Sequence, residues 1–121
     1  MATAPIRCFT PQEISHAIIT ASMKVHTALG PGLLESPYTA CLQYELKKTG
    51  FMSASQVALP VVYESIKLDL GYRIDLLVED LVIVELKSVD AISPVHQAQI
   101  ITYLKLRCRS LGLLMNFNVS T

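Results

Sequence analysis

The segment Tyr72-Arg-Ile-Asp-Leu-Leu-Val-Glu-Asp-Leu-Val-Ile-Val-Glu-Leu-Lys-Ser88 places Asp75, Glu85 and Lys87 inside two runs that are otherwise nearly all apolar. Each run reads as a strand. Charges are rare inside buried strands unless they are paired or hold a metal. Two carboxylates suit a hard cation such as Mg²⁺ or Mn²⁺, which takes oxygen ligands. Lys87 lies two residues after Glu85, so both project from the same face of a strand. From there an ammonium can stabilise an anionic transition state. A cation bound by Asp75 and Glu85 requires both on one face. A two-residue loop at Glu79-Asp80 would put them on opposite faces. The spacing therefore predicts an odd-length connection, such as Glu79-Asp80-Leu81, or a bulge.

Other elements must position this pair of strands. Thr10-Pro11-Gln12-Glu13 has a capping threonine, a proline suited to the first helical position and a capping-box glutamate. Ile14, Ala17, Ile18, Ala21, Val25 and Ala28 then recur at helical spacing, and Gly30-Pro31-Gly32 ends the helix. A second helix is expected from about Leu34 to Lys48, with a stripe of Tyr38, Cys41, Leu42 and Leu46. Gln56 to Tyr63 reads as a strand, with Pro60 favouring an edge. Glu64-Ser65 is the turn to a short strand from Ile66 to Leu70. The two motif strands span about Arg73–Val78 and Val82–Lys87. Ser93-Pro94 starts a helix running to about Arg107, and Leu111 to Phe117 is a last strand. Leu81 to Ser88 is apolar on both faces apart from Glu85 and Lys87, which puts it centrally between two layers. The result is one α/β domain over residues 1–121, a mixed sheet flanked by helices.

Composition narrows the function. The chain has 121 residues, ten basic and ten acidic, and 51% apolar residues. Its mean hydropathy is +0.42. No run reaches the roughly 18 apolar residues of a membrane span. Residues 1–9 lack the apolar run of a secretory leader. Cys8, Cys41 and Cys108 are odd in number and widely spaced, which suggests reduced thiols in the cytoplasm. A net charge of zero is unusual for nucleic-acid binding, which is largely electrostatic. Only Lys105, Arg107 and Arg109 form a basic cluster. A neutral, half-apolar chain suggests a homodimer or a protein partner burying one apolar face.

Acid, then acid-x-lysine on neighbouring strands, resembles the PD-(D/E)XK nuclease superfamily. The stretch Gly32-Leu-Leu-Glu35-Ser-Pro-Tyr38 resembles the motif of the GxxExxY protein family, which is assigned to that superfamily. The likeness runs on through Asp75, Glu85-Leu-Lys87, Gln99-Ile-Ile-Thr-Tyr103 and Leu111-Gly-Leu-Leu-Met-Asn-Phe117. It implies a restriction-endonuclease-like core and a Mg²⁺- or Mn²⁺-dependent phosphodiesterase acting on nucleic acid. Under it, Glu35, Asp75 and Glu85 are metal ligands and Lys87 is the catalytic cation. Gln99 and Tyr103 match a Q-x-x-x-Y pattern and share one helix face. Pro37 departs from the simplest form of the motif and fits only if Glu35 opens the helix.

Plainer readings stand beside these. An isolated Glu-x-Lys also describes a salt-bridged pair at a strand end. Gln99 and Tyr103 also fit an exposed helix face. His26 precedes the Gly-Pro-Gly turn and is a possible phosphate contact or a structural donor. Lys105, Arg107 and Arg109 are possible phosphate contacts or complements to a helix C-terminus. The alternative function is a nuclease fold without turnover, a scaffold or a subunit that relies on a basic partner.

Overall fold

The computed structural model of the protein describes residues 8–120. The reading of residues 1–9 as leader-free falls largely outside that range. Helix α1 (Pro11–Leu29) begins where the capping pattern places it. Thr10 Oγ1 accepts the Glu13 N–H at 3.1 Å. The Glu13 carboxylate accepts the Thr10 hydroxyl rather than its backbone N–H, so this capping box is only half formed. Helix α2 (Glu35–Lys48) has Glu35 as its first residue. Pro37 therefore falls in the first turn, where a missing N–H costs nothing.

The strand expected from Gln56 to Tyr63 is two strands. β1 (Ser53–Ala58) starts earlier, and β2 (Val61–Tyr63) lies beyond Leu59-Pro60. Pro60 has no N–H to give a ladder, and the chain leaves the sheet there. β2 pairs with β3 (Ile66–Leu68) across Glu64-Ser65 as a separate two-stranded ribbon. β4 (Arg73–Val78), β5 (Val82–Lys87), α3 (Pro94–Arg107) and β6 (Leu111–Asn116) complete the fold.

The main sheet has the order β1-β4-β5-β6. β1–β4 and β4–β5 are antiparallel, and β5–β6 is parallel. The parallel pair requires a crossover, which α3 supplies. Helices α1 and α2 cover one face. There Ile14, Ile18, Leu42 and Leu46 pack on Leu76, Val78, Val82 and Val84. On the other face, Ile100 and Tyr103 of α3 pack against Ile74, Leu77 and Ile83. Gly112 of β6 lets α3 approach closely, because a Cβ there would stand 3.0 Å from Ile100 Cδ1. β5 is thus buried from both sides, as its two-faced apolarity predicts.

The GxxExxY-like stretch has a local physical explanation. Tyr38 is fully buried. Its hydroxyl donates to Gly30 O and accepts the Leu33 N–H at 3.2 Å. Its ring stacks on Phe117, with centroids 4.6 Å apart. Ser88 Oγ donates to Leu33 O at 2.6 Å. The turn between α1 and α2 is therefore tied to the end of β5, and Glu35 with it. Tyr38→Phe leaves the Gly30 carbonyl and the Leu33 N–H without that partner. It is expected to cost about 1–3 kcal/mol, measured by urea unfolding with an unchanged m-value.

Candidate active site

Strands β4 and β5 are joined by a three-residue connection, with Val78 opposite Val82 and Leu76 opposite Val84. The odd-length connection expected from the sequence is present, and the same register sets Asp75 opposite Glu85. Backbone pairing stops at Leu76–Val84. Beyond it the strands are joined by their carboxyl groups. Asp75 Oδ2 accepts the Leu86 N–H at 2.9 Å, and Glu85 Oε1 accepts the Asp75 N–H at 3.4 Å.

The other side of β4 is interrupted at the same place. β1 pairs Ser55 with Leu76 and Val57 with Ile74, skipping Gln56 and Asp75. Gln56 has φ of 52°, a left-handed conformation unusual for a residue other than glycine. Ile74 packs with the α3 face, whereas Leu76 packs with the α1–α2 face. Strict alternation would put them together, so β4 twists at Asp75. This twist brings Asp75 into a cleft of about 540 Å³ on the α2 side, which Glu35, Gln56, Leu86 and Lys87 also line.

Glu85 is 2% exposed. Burial pushes its carboxyl up to about 9, with the hydrogen bond to the Asp75 carboxyl and that group's negative charge adding to the rise. Lys87 Nζ does not bridge to Glu85. It donates to Gln99 Oε1 at 3.1 Å, and Gln99 Nε2 donates to Tyr103 Oη at 3.2 Å. Tyr103 thereby fixes which way the amide points, leaving its oxygen toward the ammonium. Burial raises the Tyr103 phenol above its ordinary range, so it stays a neutral hydroxyl. The expected helix face of Gln99 and Tyr103 is turned inward onto the motif lysine.

The structure brings together Asp75, Glu85, Lys87, Gln99 and Tyr103, with Glu35 on the wall of the Asp75 cleft. Among the described residues, no three His, Cys, Asp or Glu side chains are close enough to share an ion. The other four candidates lie elsewhere. His26 Nε2 is 2.7 Å from Val119 O, in a cavity with Ser22, Met115 and Phe117. Arg109 donates to Asp80 O at 2.6 Å and pairs with its carboxylate at 3.1 Å. Arg107 reaches the same carboxylate at 3.5 Å. These contacts hold the Asp80 carboxyl below its ordinary range, the Arg109 hydrogen bond foremost. Asp80 lies in the β4–β5 turn, at the far end of β4 from Asp75. Lys105 is exposed on α3.

Three residues near the site were not singled out by sequence. Gln56 gives no signal, since its interest lies in its backbone. Tyr72 lies in T-shaped contact with Tyr103, with centroids 6.4 Å apart. His96 completes the α3 capping box, its Nδ1 accepting the Ser93 N–H at 3.1 Å. A Ser-Pro-x-His pattern is a cue for such a cap only if histidine is counted with Glu and Gln.

A mixed α/β sheet, acids joined across its parted central strands and a lysine held from the following helix define a nuclease-like α/β protein. The family model of the PD-(D/E)XK nuclease superfamily matches residues 12–121, and the chain belongs to that superfamily. No curated protein and no solved structure matches it. No helix among the described residues is long and apolar enough to cross a membrane.

Glu85 holds its proton more tightly folded than unfolded. Its contribution to stability is complete below the unfolded value of about 4.5 and is lost as pH rises toward about 9. Glu85→Gln keeps a neutral donor facing Asp75. It is expected to flatten the pH dependence of stability between pH 5 and 9, and to be the more stable form at pH 7 by on the order of 3 kcal/mol. Unfolding curves at a series of pH values check this. Parallel curves for the two proteins would contradict it.

Proposed function

We propose that the protein is a divalent-metal-dependent phosphodiesterase acting on nucleic acid. The observation that carries the reading is the contact of Asp75 and Glu85 across the parted strand ends, beside a lysine oriented by Gln99 and Tyr103. The donor set suits Mg²⁺ or Mn²⁺. Two carboxyl groups already adjoin and hold a proton that a cation can replace. Glu35 stands on the wall of the Asp75 cleft, outside the pair of carboxyl groups that adjoin. When bound, such an ion supplies charge neutralisation and acidifies a coordinated water. Lys87 then faces the scissile phosphate, where its charge opposes the charge developing on the phosphoryl oxygens. Gln99 holds the ammonium in place, and the neutral Tyr103 hydroxyl holds Gln99.

The Gly32–Tyr38 motif supports placement within the GxxExxY proteins. The exposed side chains of Val62, Tyr63, Ile66 and Leu68 on the β2–β3 ribbon support a homodimer or a protein partner. Three free cysteines support a cytoplasmic location.

A second reading, a nuclease fold without turnover, is favoured by one observation. Arg107 and Arg109 are taken up by Asp80, in a chain whose net charge is zero. Assays with Mn²⁺ on single-stranded DNA, duplex DNA and RNA separate the two. Cleavage that falls at least about a hundredfold in Lys87→Ala and in Asp75→Asn is expected. Equal activity of Lys87→Ala and the parent would sink the catalytic assignment.

Metal binding carries its own check. Glu85 must give up its proton to become a ligand. Calorimetric titration with Mn²⁺ in two buffers of different ionisation enthalpy is expected to show release of close to one proton per ion at pH 7. Glu85→Gln and Asp75→Asn should each abolish most of the binding heat. A titration with no heat in the parent protein, and no rise in melting temperature, would remove the metal from the mechanism.

A further inference from the structure

We propose that the cleft beside Lys87 seats an unstacked nucleobase against Tyr72, making single-stranded or locally opened nucleic acid the substrate class. This rests on the nuclease reading only for the placement of the strand. Lys87 lines the carboxylate cleft and also a second cavity of about 640 Å³ beneath α3. A strand with a phosphodiester at Lys87 therefore carries a neighbouring nucleoside into the second cavity. That cavity is walled by Tyr72, Tyr103, Val95 and Leu106. Tyr72 is 45% exposed, and its edge contact with Tyr103 sets the angle of the ring. Aromatic rings of this kind accept any base, because every base has a π-face.

The polar groups in the cavity suit a base edge. His96 Nδ1 accepts the Ser93 N–H, so the neutral ring carries its proton on Nε2. Gln99 uses one amide hydrogen on Tyr103 and keeps another. Charge points the same way. Backbone-tracking proteins derive affinity from lysine and arginine. Here the net charge is zero, and two of the three clustered cations are held by Asp80 at the opposite end of β4. Stacking supplies the affinity that charge does not.

The test uses a single-stranded oligodeoxynucleotide carrying 2-aminopurine, without divalent ion, followed by fluorescence quenching and anisotropy. Binding with a shallow salt dependence is expected. Tyr72→Ala should weaken it roughly five- to a hundredfold, and Tyr72→Phe should stay within about twofold of the parent. An oligonucleotide with an abasic position should bind the parent as weakly as Tyr72→Ala binds the intact strand, with no further loss in combination. Parent-like binding by Tyr72→Ala, equal losses in Ala and Phe, or no oligonucleotide binding would each overturn the proposal. So would a change in sedimentation of Tyr72→Ala without a change in nucleic-acid binding, which would make the cleft a contact between copies. Cleavage in Mn²⁺ separates this inference from the reading beneath it. Tyr72-dependent binding with no cleavage defeats the nuclease reading and supports the base-seating cleft, with single-stranded nucleic acid as ligand rather than substrate. Cleavage with an unaltered KM in Tyr72→Ala defeats this one alone.

Discussion

Where β4 and β5 part, the backbone of each strand is left with polar groups that the ladder no longer serves. Buried and unpaired, each would cost about 1–3 kcal/mol. The Asp75 carboxyl takes the Leu86 N–H and the Glu85 carboxyl takes the Asp75 N–H, so side chains finish what the backbone leaves undone. This exchange fixes much of the rest. It needs acids at these two positions, it needs them opposite one another, and it holds their oxygens together in a poorly hydrated place. The raised affinity of Glu85 for its proton follows from that enclosure. The same arrangement leaves Asp75 on the wall of the cleft while Glu85 stays buried behind it.

The layers around the parted strands have different duties. The α1–α2 layer buries the sheet and, through Tyr38, sets the turn that delivers Glu35 to the cleft wall. The α3 layer buries the other face and delivers Gln99 to Lys87. Lys87 is the one side chain lining both clefts among the described residues. The far end of the same strands is closed by Asp80 with Arg107 and Arg109. That anchoring leaves the acid-bearing end as the place where the sheet opens.

Much of this was legible in the sequence because it depends on periodicity and punctuation. The boundaries of β4, β5 and α3 follow from apolar runs and from Ser93-Pro94. The connection length followed from parity alone, since Asp75 and Glu85 can face one another only across an odd loop. Other features were not legible. The split of the valine-rich strand at Leu59-Pro60 depended on where the sheet edge falls. The left-handed Gln56 is a backbone conformation with no residue-type cue. His26, Arg107 and Arg109 carry suitable chemistry, but their placement follows from tertiary packing. His26 lies against the segment after β6, and the arginines against a turn some 27 residues earlier in the chain.

β5 owes its interior position to β6, which follows it in the chain after α3. Phe117 then stacks on Tyr38, and its N–H donates to Lys87 O at 2.8 Å. Until β6 docks, Val82 to Leu86 form an apolar strand with one unpaired edge, the kind of segment that recruits other chains. Glu85 thus sits on a segment that stays open to other chains until β6 covers its edge. Pairing with β6 and the Phe117–Tyr38 stack close that edge, so the segment that completes the core also removes its exposed strand.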